Sequence, residues 1–271
     1  LPDSEAPCLW WGVQTVTFHQ NQDGNPDVPG DNEFLATSRA IQSWNEAAEG
    51  CSHLRLLEGP RVAERDIGWD PDSSNNENLI VYRMTWCGDP NVVPTDDPCW
   101  DDLTCQNKYN CFDQARTTIA ITTTTYDKKT GQIFDADIEG NGAFFLYTTV
   151  DSPPCERPDF HPNCVATDVQ NTTAHELGHA LGLDHTTRPG STMNPSAPSG
   201  ETAKRIIDPD TRSFLCDVYP VGSPARDCVI SVMAQELGEA ATGCAATGAL
   251  PGAMAVFALA RLFWRRRSRA G

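Results

Sequence analysis

Apolar positions along the chain fall into short alternating runs and a few helical stripes. Trp10 to Phe18 alternates and is rich in β-branched residues, which predicts a strand. Asn21 to Asp31 is dense in Asp, Asn, Gly and Pro and reads as loop. Phe34 to Ala48 then carries Ala40, Ile41, Trp44, Ala47 and Ala48 on one face and Arg39, Gln42, Ser43 and Glu46 on the other. That is an amphipathic helix, closed by Gly50. Leu54–Leu57 and Leu79–Met84 read as strands around a polar loop, Asp70 to Asn78. Residues 87–114 show little periodicity and are rich in Cys and Asp. Thr117–Tyr126 and Gln132–Ile138 predict a hairpin about the turn Asp127–Gly131, and Phe144–Val150 a further short strand. Val169 to about Leu181 predicts a helix with Asp168 as N-cap. Another helix starts near Pro209, with Asp208 as N-cap and proline at its first position.

The chain has 271 residues, enough for one domain of moderate size plus a tail. It carries 20 basic and 37 acidic residues, a formal charge of −17. Five of the arginines follow Cys244, so the part before it sets 15 basic against 37 acidic residues, or −22. Such a surface repels phosphate backbones and argues against a nucleic-acid partner. Eleven cysteines with no CxxC pair predict disulfides formed in an oxidising compartment rather than a zinc ribbon. Cys155/Cys164 and Cys216/Cys228 are the expected local pairs, and Cys244 the odd thiol. Leu1–Glu5 is polar and offers no secretory apolar region, so any signal peptide is expected to have been removed.

The chemistry concentrates in His175-Glu176-Leu177-Gly178-His179-Ala180-Leu181-Gly182-Leu183-Asp184-His185. Histidines four apart share a helix face, so both imidazoles reach one metal. Ala174, Leu177, Ala180 and Leu181 gather on the opposite face, toward a core. Gly182 permits the sharp exit that brings His185 round as a third ligand. Three protein ligands leave one tetrahedral position for water, the mark of a catalytic zinc rather than a structural one. Glu176, beside the first ligand, is the candidate general base. A metal site without activity remains the principal alternative. Asn171-Thr172-Thr173 matches a glycosylation sequon, but on the site helix a glycan would clash.

This string resembles the zinc helix of the metzincins, and within them the matrixins. Met193-Asn194-Pro195, seven residues after His185, looks like the family's Met-turn, and Lys204 to Tyr219 resembles its closing helix. The resemblance is specific over about 168–219 and weaker over 10–150. It implies an α+β, zincin-like fold. A twisted, mostly parallel sheet and the active-site helix form an upper subdomain (1–182), and a small lower subdomain (183–220) carries Met193. Substrate would lie between them against an antiparallel edge strand, and the 117–138 hairpin fits only if it supplies that edge. Pro195 stands where some metzincins place a tyrosine ligand, so no tyrosine ligand is expected. The family's cysteine-switch propeptide does not appear in this sequence, so latency control is expected to be either removed with a pro-segment or absent; the 87–114 insertion is not a matrixin feature, which leaves a pappalysin-like assignment open. The resemblance implies one catalytic Zn2+. Structural calcium is common in the family, but its ligands do not map here. For Asp127, Asp135 and Asp137 a solvated or structural role is favoured over calcium.

Residues 221–244 read as a stalk, with a short helix at Cys228–Leu237. Residues 245–271 read as a tail of apolar residues closed by Arg265-Arg266-Arg267. Cys244 followed by that segment resembles the myxobacterial sorting tail MYXO-CTERM, which implies attachment at the cell surface and membrane contact. The sum is a secreted or surface-anchored, monomeric zinc endopeptidase acting on protein or peptide substrates. Its rivals are a non-catalytic adhesin on the same scaffold and a zinc amidase acting on cell-wall amides.

Overall fold

The computed structural model describes residues 8–73 and 76–225. The sheet begins with β1 (Trp10–Trp11) and β2 (Thr15–Gln20), so the single strand expected over Trp10–Phe18 is broken at Gly12–Gln14. The break has a partner-based cause. β1 pairs with the foot of β6 (Gln132–Asn141), whereas β2 lies between β3 (Arg55–Glu58) and β4 (Asn78–Arg83). All these pairings are parallel, as is β4 with β6. β5 (Ala120–Tyr126) runs antiparallel to β6 at the edge, so the hairpin supplies the one antiparallel strand of the sheet. The result is a mixed α/β fold with a mostly parallel sheet and a site-bearing helix, consistent with the expected zincin architecture.

Helix α1 (Asn32–Ala48) crosses from β2 to β3 and buries Phe34, Ala36, Ala40, Ile41, Trp44 and Ala48. Its apolar stripe meets Val16, Phe18, Leu56, Ile80, Ile133 and Ile138 of the sheet. α4 (Val169–Ala180) adds Ala174, Leu177 and Ala180 to the same core. α5 (Pro209–Val218) adds Leu215 and Val218. Both predicted caps form. Asp168 accepts from the Asn171 N–H, and Asp208 from those of Asp210 and Thr211. α4 departs from the amphipathic expectation, because all twelve of its residues are buried. Its polar face is roofed by β5 and by the loop that carries Met193. Asn171, at the sequon, is buried and accepts from the Lys204 N–H.

The 87–114 insertion holds two short helices, α2 (Cys99–Asp102) and α3 (Cys105–Tyr109), stapled by Cys87–Cys111 and Cys99–Cys105. Arg83 locks it to the sheet. This fully buried guanidinium bonds Glu139 at 2.7 Å, Asn110 at 2.7 Å and the Arg65 carbonyl at 2.9 Å. The charge lies out of water but is fully partnered, the condition under which a buried cation is tolerated. On the same face of β6, Asp135 and Asp137 are buried side by side, and Asp137 accepts from Gly68 and Leu79 N–H groups. They are structural rather than solvated. Asp127 is a turn device, its carboxylate accepting from Lys129 and Thr130.

Cys155–Cys164 forms as expected. Cys216 bonds Cys51, not Cys228; spatial proximity across 165 residues overrides proximity in the sequence. Cys8 is disulfide-bonded as well. Cys228, Cys244, the expected helix at 228–237 and the tail lie outside the described residues. Among the described residues no helix is long and apolar enough to cross a membrane.

Candidate metal centre

α4 sets His175 and His179 one turn apart on one face, and the chain then has to reverse. Gly182 makes the reversal at φ +100°, beside the Leu9 backbone; a Cβ there would lie 2.3 Å from the Leu9 carbonyl oxygen. Only glycine meets both demands. The exit is secured from outside the motif. Trp11 Nε1 donates to the Ala180 carbonyl and the Tyr219 hydroxyl to the Leu181 carbonyl, satisfying acceptors that a helix end leaves open.

The reversal brings His185 back onto the helix. The three Nε2 atoms form a triangle with edges of 3.2 Å (175–179), 3.2 Å (175–185) and 3.0 Å (179–185). His175 Nδ1 lies 2.6 Å from the Thr192 carbonyl and His179 Nδ1 2.8 Å from the Leu183 carbonyl. These acceptors assign the proton of each ring to Nδ1 and leave a lone pair on Nε2. Burial, with the neighbouring imidazoles, holds His175 well below its ordinary pKa; burial lowers His179, and burial with His179 takes His185 down to about 3. Two neutral imidazoles thus turn Nε2 lone pairs toward the centre of a triangle that the Nε2 of His185 closes. That arrangement repels itself unless a cation lies at its centre, so the donor set fits a divalent, nitrogen-loving metal. Among the described residues this is the one cluster of three or more His, Cys, Asp or Glu groups able to hold a metal ion. Among the described residues no comparable cluster supports calcium.

Two further parts frame the triangle. Met193 is buried, and its sulfur lies 2.3 Å from where a Cβ on Gly178 would sit. Gly178 thus gives the methionine sulfur its close approach to the helix, a role that the motif pattern does not reveal. Thr192, whose carbonyl meets His175, is itself fixed by Asp208, which accepts its N–H at 2.7 Å. Glu176 is completely buried. Its Oε2 accepts from the Thr122 hydroxyl at 2.7 Å, while burial pushes its pKa to about 8, against the pull of Thr122.

Residues 100–219 match the Matrixin peptidase family. The match runs from α2 through the whole of α5 and includes the triad. No curated protein matches the chain. Together the matrixin match and the triad support the metzincin/matrixin family, and a matrixin domain implies zinc and a metalloprotease. Of the residues read from sequence, His175, His179 and His185 converge, Gly182 turns the chain, and Met193 packs under Gly178. Sequence reasoning missed Thr122, Gly178, Trp11 and the link from Asp208 to Thr192. A helix N-cap was the one available signal for the last.

Proposed function

We propose that the protein is a zinc-dependent endopeptidase that hydrolyses peptide bonds of extracellular proteins. His175, His179 and His185 are its ligands and Glu176 its general base. The observation that carries the reading is the closed triangle of neutral imidazole nitrogens with an acidic residue one position along the same helix. Zinc held there supplies a Lewis acid that lowers the pKa of a bound water to about 7 and polarises a carbonyl. Glu176 takes the proton of the attacking water and returns it to the leaving amine. The Thr192 and Leu183 carbonyls hold the ligand rings in the tautomer that donates through Nε2. Gly182 and Met193 support this arrangement from the helix exit and from beneath. β5, the antiparallel edge strand, offers a substrate backbone a strand to pair with.

In this reading residues 1–220 are the catalytic domain, monomeric, with a cleft between 1–182 and 183–220. Residues 221–244 are a stalk and 245–271 an anchoring or sorting tail. The cysteine content and acidic surface favour work outside the cell. The test is cleavage of casein and a quenched-peptide library by the purified protein, with zinc quantified, beside Glu176→Ala. Cleavage lost in the variant while zinc stays near one per chain supports the reading. Full zinc occupancy with no peptide cleaved overturns it and leaves a metal-binding adhesin or a narrow amidase, which isolated cell wall as substrate would separate.

A further inference from the structure

Thr122 lies on β5 opposite Ile138 of β6, with its side chain buried against α4. Its Oγ1 stands 2.7 Å from Glu176 Oε2 and 3.0 Å from the Glu176 carbonyl oxygen. A hydroxyl has one proton to give, so the two acceptors compete. The Glu176 side-chain oxygen is the nearer of the two acceptors. The carbonyl is a helix carbonyl, already placed for the ladder of α4. The other carboxylate oxygen, Oε1, is buried and has no hydrogen-bond partner among the described residues. One oxygen is therefore held by the protein, and its twin meets no protein donor.

We infer that Thr122 is a positioning residue for the hydrolysis proposed above, pinning Glu176 Oε2 so that Oε1 is presented to the proton it must accept. A glutamate side chain has three rotatable bonds, and a base that is not held spends much of its time aimed elsewhere. The strand supplies the restraint at a point that packing alone would not fix, because the bond crosses from the sheet edge to the site helix over 54 residues of sequence. The inference rests on Glu176 acting as base. The rival is that the hydroxyl serves the Glu176 carbonyl and only steadies the helix.

The experiment uses Thr122→Val and Thr122→Ser in the full chain, each with and without Glu176→Ala. With zinc near one per chain throughout, Thr122→Val is expected to lower kcat on the order of ten- to a hundredfold with KM unchanged, the range for a hydrogen bond to a charged group. Thr122→Ser, which keeps the hydroxyl, is expected to recover most of that rate. A second readout needs no turnover: urea unfolding of the metal-free proteins. If the bond goes to the carboxylate, the midpoint shift caused by Thr122→Val shrinks to nearly nothing in the Glu176→Ala background. An equal shift in both backgrounds assigns the hydroxyl to the backbone and overturns the inference, as does a loss of rate that serine fails to recover. A wild-type protein that holds zinc and cleaves nothing overturns the protease reading instead, while the unfolding cycle still decides whether Thr122 holds the carboxylate.

Discussion

Asp208 offers the sharpest test of how the lower part of the molecule holds the metal centre. Its Oδ2 accepts from the Thr192 N–H at 2.7 Å, the Thr211 hydroxyl at 2.6 Å and the Ser191 hydroxyl at 3.1 Å. Its Oδ1 accepts from the N–H groups of Asp210 and Thr211 at 3.1 and 3.3 Å. Asp208→Ala removes a helix cap, about 1 kcal/mol. It also leaves the N–H of buried Thr192 without its acceptor, about 1–3 kcal/mol more. The expected total, about 2–4 kcal/mol, lowers Tm by about 5–15 °C for a domain of this size. A second effect follows from the Thr192 carbonyl, which orients His175. Loosening it weakens metal affinity by about 10- to 100-fold, the usual result of losing a group that orients a ligand. Burial opposes ionisation of Asp208, but its bonds from Thr211 and Thr192 outweigh burial and hold the pKa below the ordinary 3.8. Its ionised contribution is therefore complete above that value, and the gap between wild type and variant narrows only as pH falls below it. The assays are thermal unfolding of metal-free protein and competitive zinc titration. A Tm change under about 2 °C, or a zinc affinity equal to wild type, would refute the chain of contacts.

Three other substitutions probe separate parts of the fold. Gly182→Ala puts a Cβ 2.3 Å from the Leu9 carbonyl oxygen at φ +100°, so urea unfolding should show a loss of at least about 2 kcal/mol. Arg83→Met strands Glu139 without its cation and should cost about 3–5 kcal/mol, read as a lowered urea midpoint. Burial raises Asp135 to about 6, so folding favours its neutral form. That contribution is complete below about 3.8 and is lost as pH rises through 6. Asp135→Asn should accordingly stabilise by up to about 2–3 kcal/mol at pH 8 and by little at pH 4, and equal Tm shifts at the two pH values would count against it.

Local signals carried far into the structure. α1 follows its apolar stripe, α4 its cap, α5 both, and the hairpin its alternation and turn residues, because each is decided within a few residues of itself. The metal triangle was legible for the same reason, its three ligands spanning only eleven positions. What sequence did not yield is decided by distant partners. Trp10–Phe18 looks continuous, yet its two ends pair with different strands. Four threonines in a row announce β-structure without saying that Thr122 meets Glu176. Asp135 and Asp137 lie on a buried face where the N–H groups of Gly68 and Leu79, distant in sequence, meet Asp137. Cys216 finds Cys51 because α5 packs back against the end of α1, a proximity no spacing rule contains.

The Cys51–Cys216 bond closes a covalent ring that runs from β3 to most of α5 and includes the whole of the metal-binding helix. A single peptide-bond cut anywhere between those two cysteines opens a ring rather than severing a chain. On a non-reducing gel such a nicked molecule migrates as one species, and only a reductant releases its pieces. Loops within that ring, the exposed segment between Cys155 and Cys164 among them, can be clipped without losing a fragment.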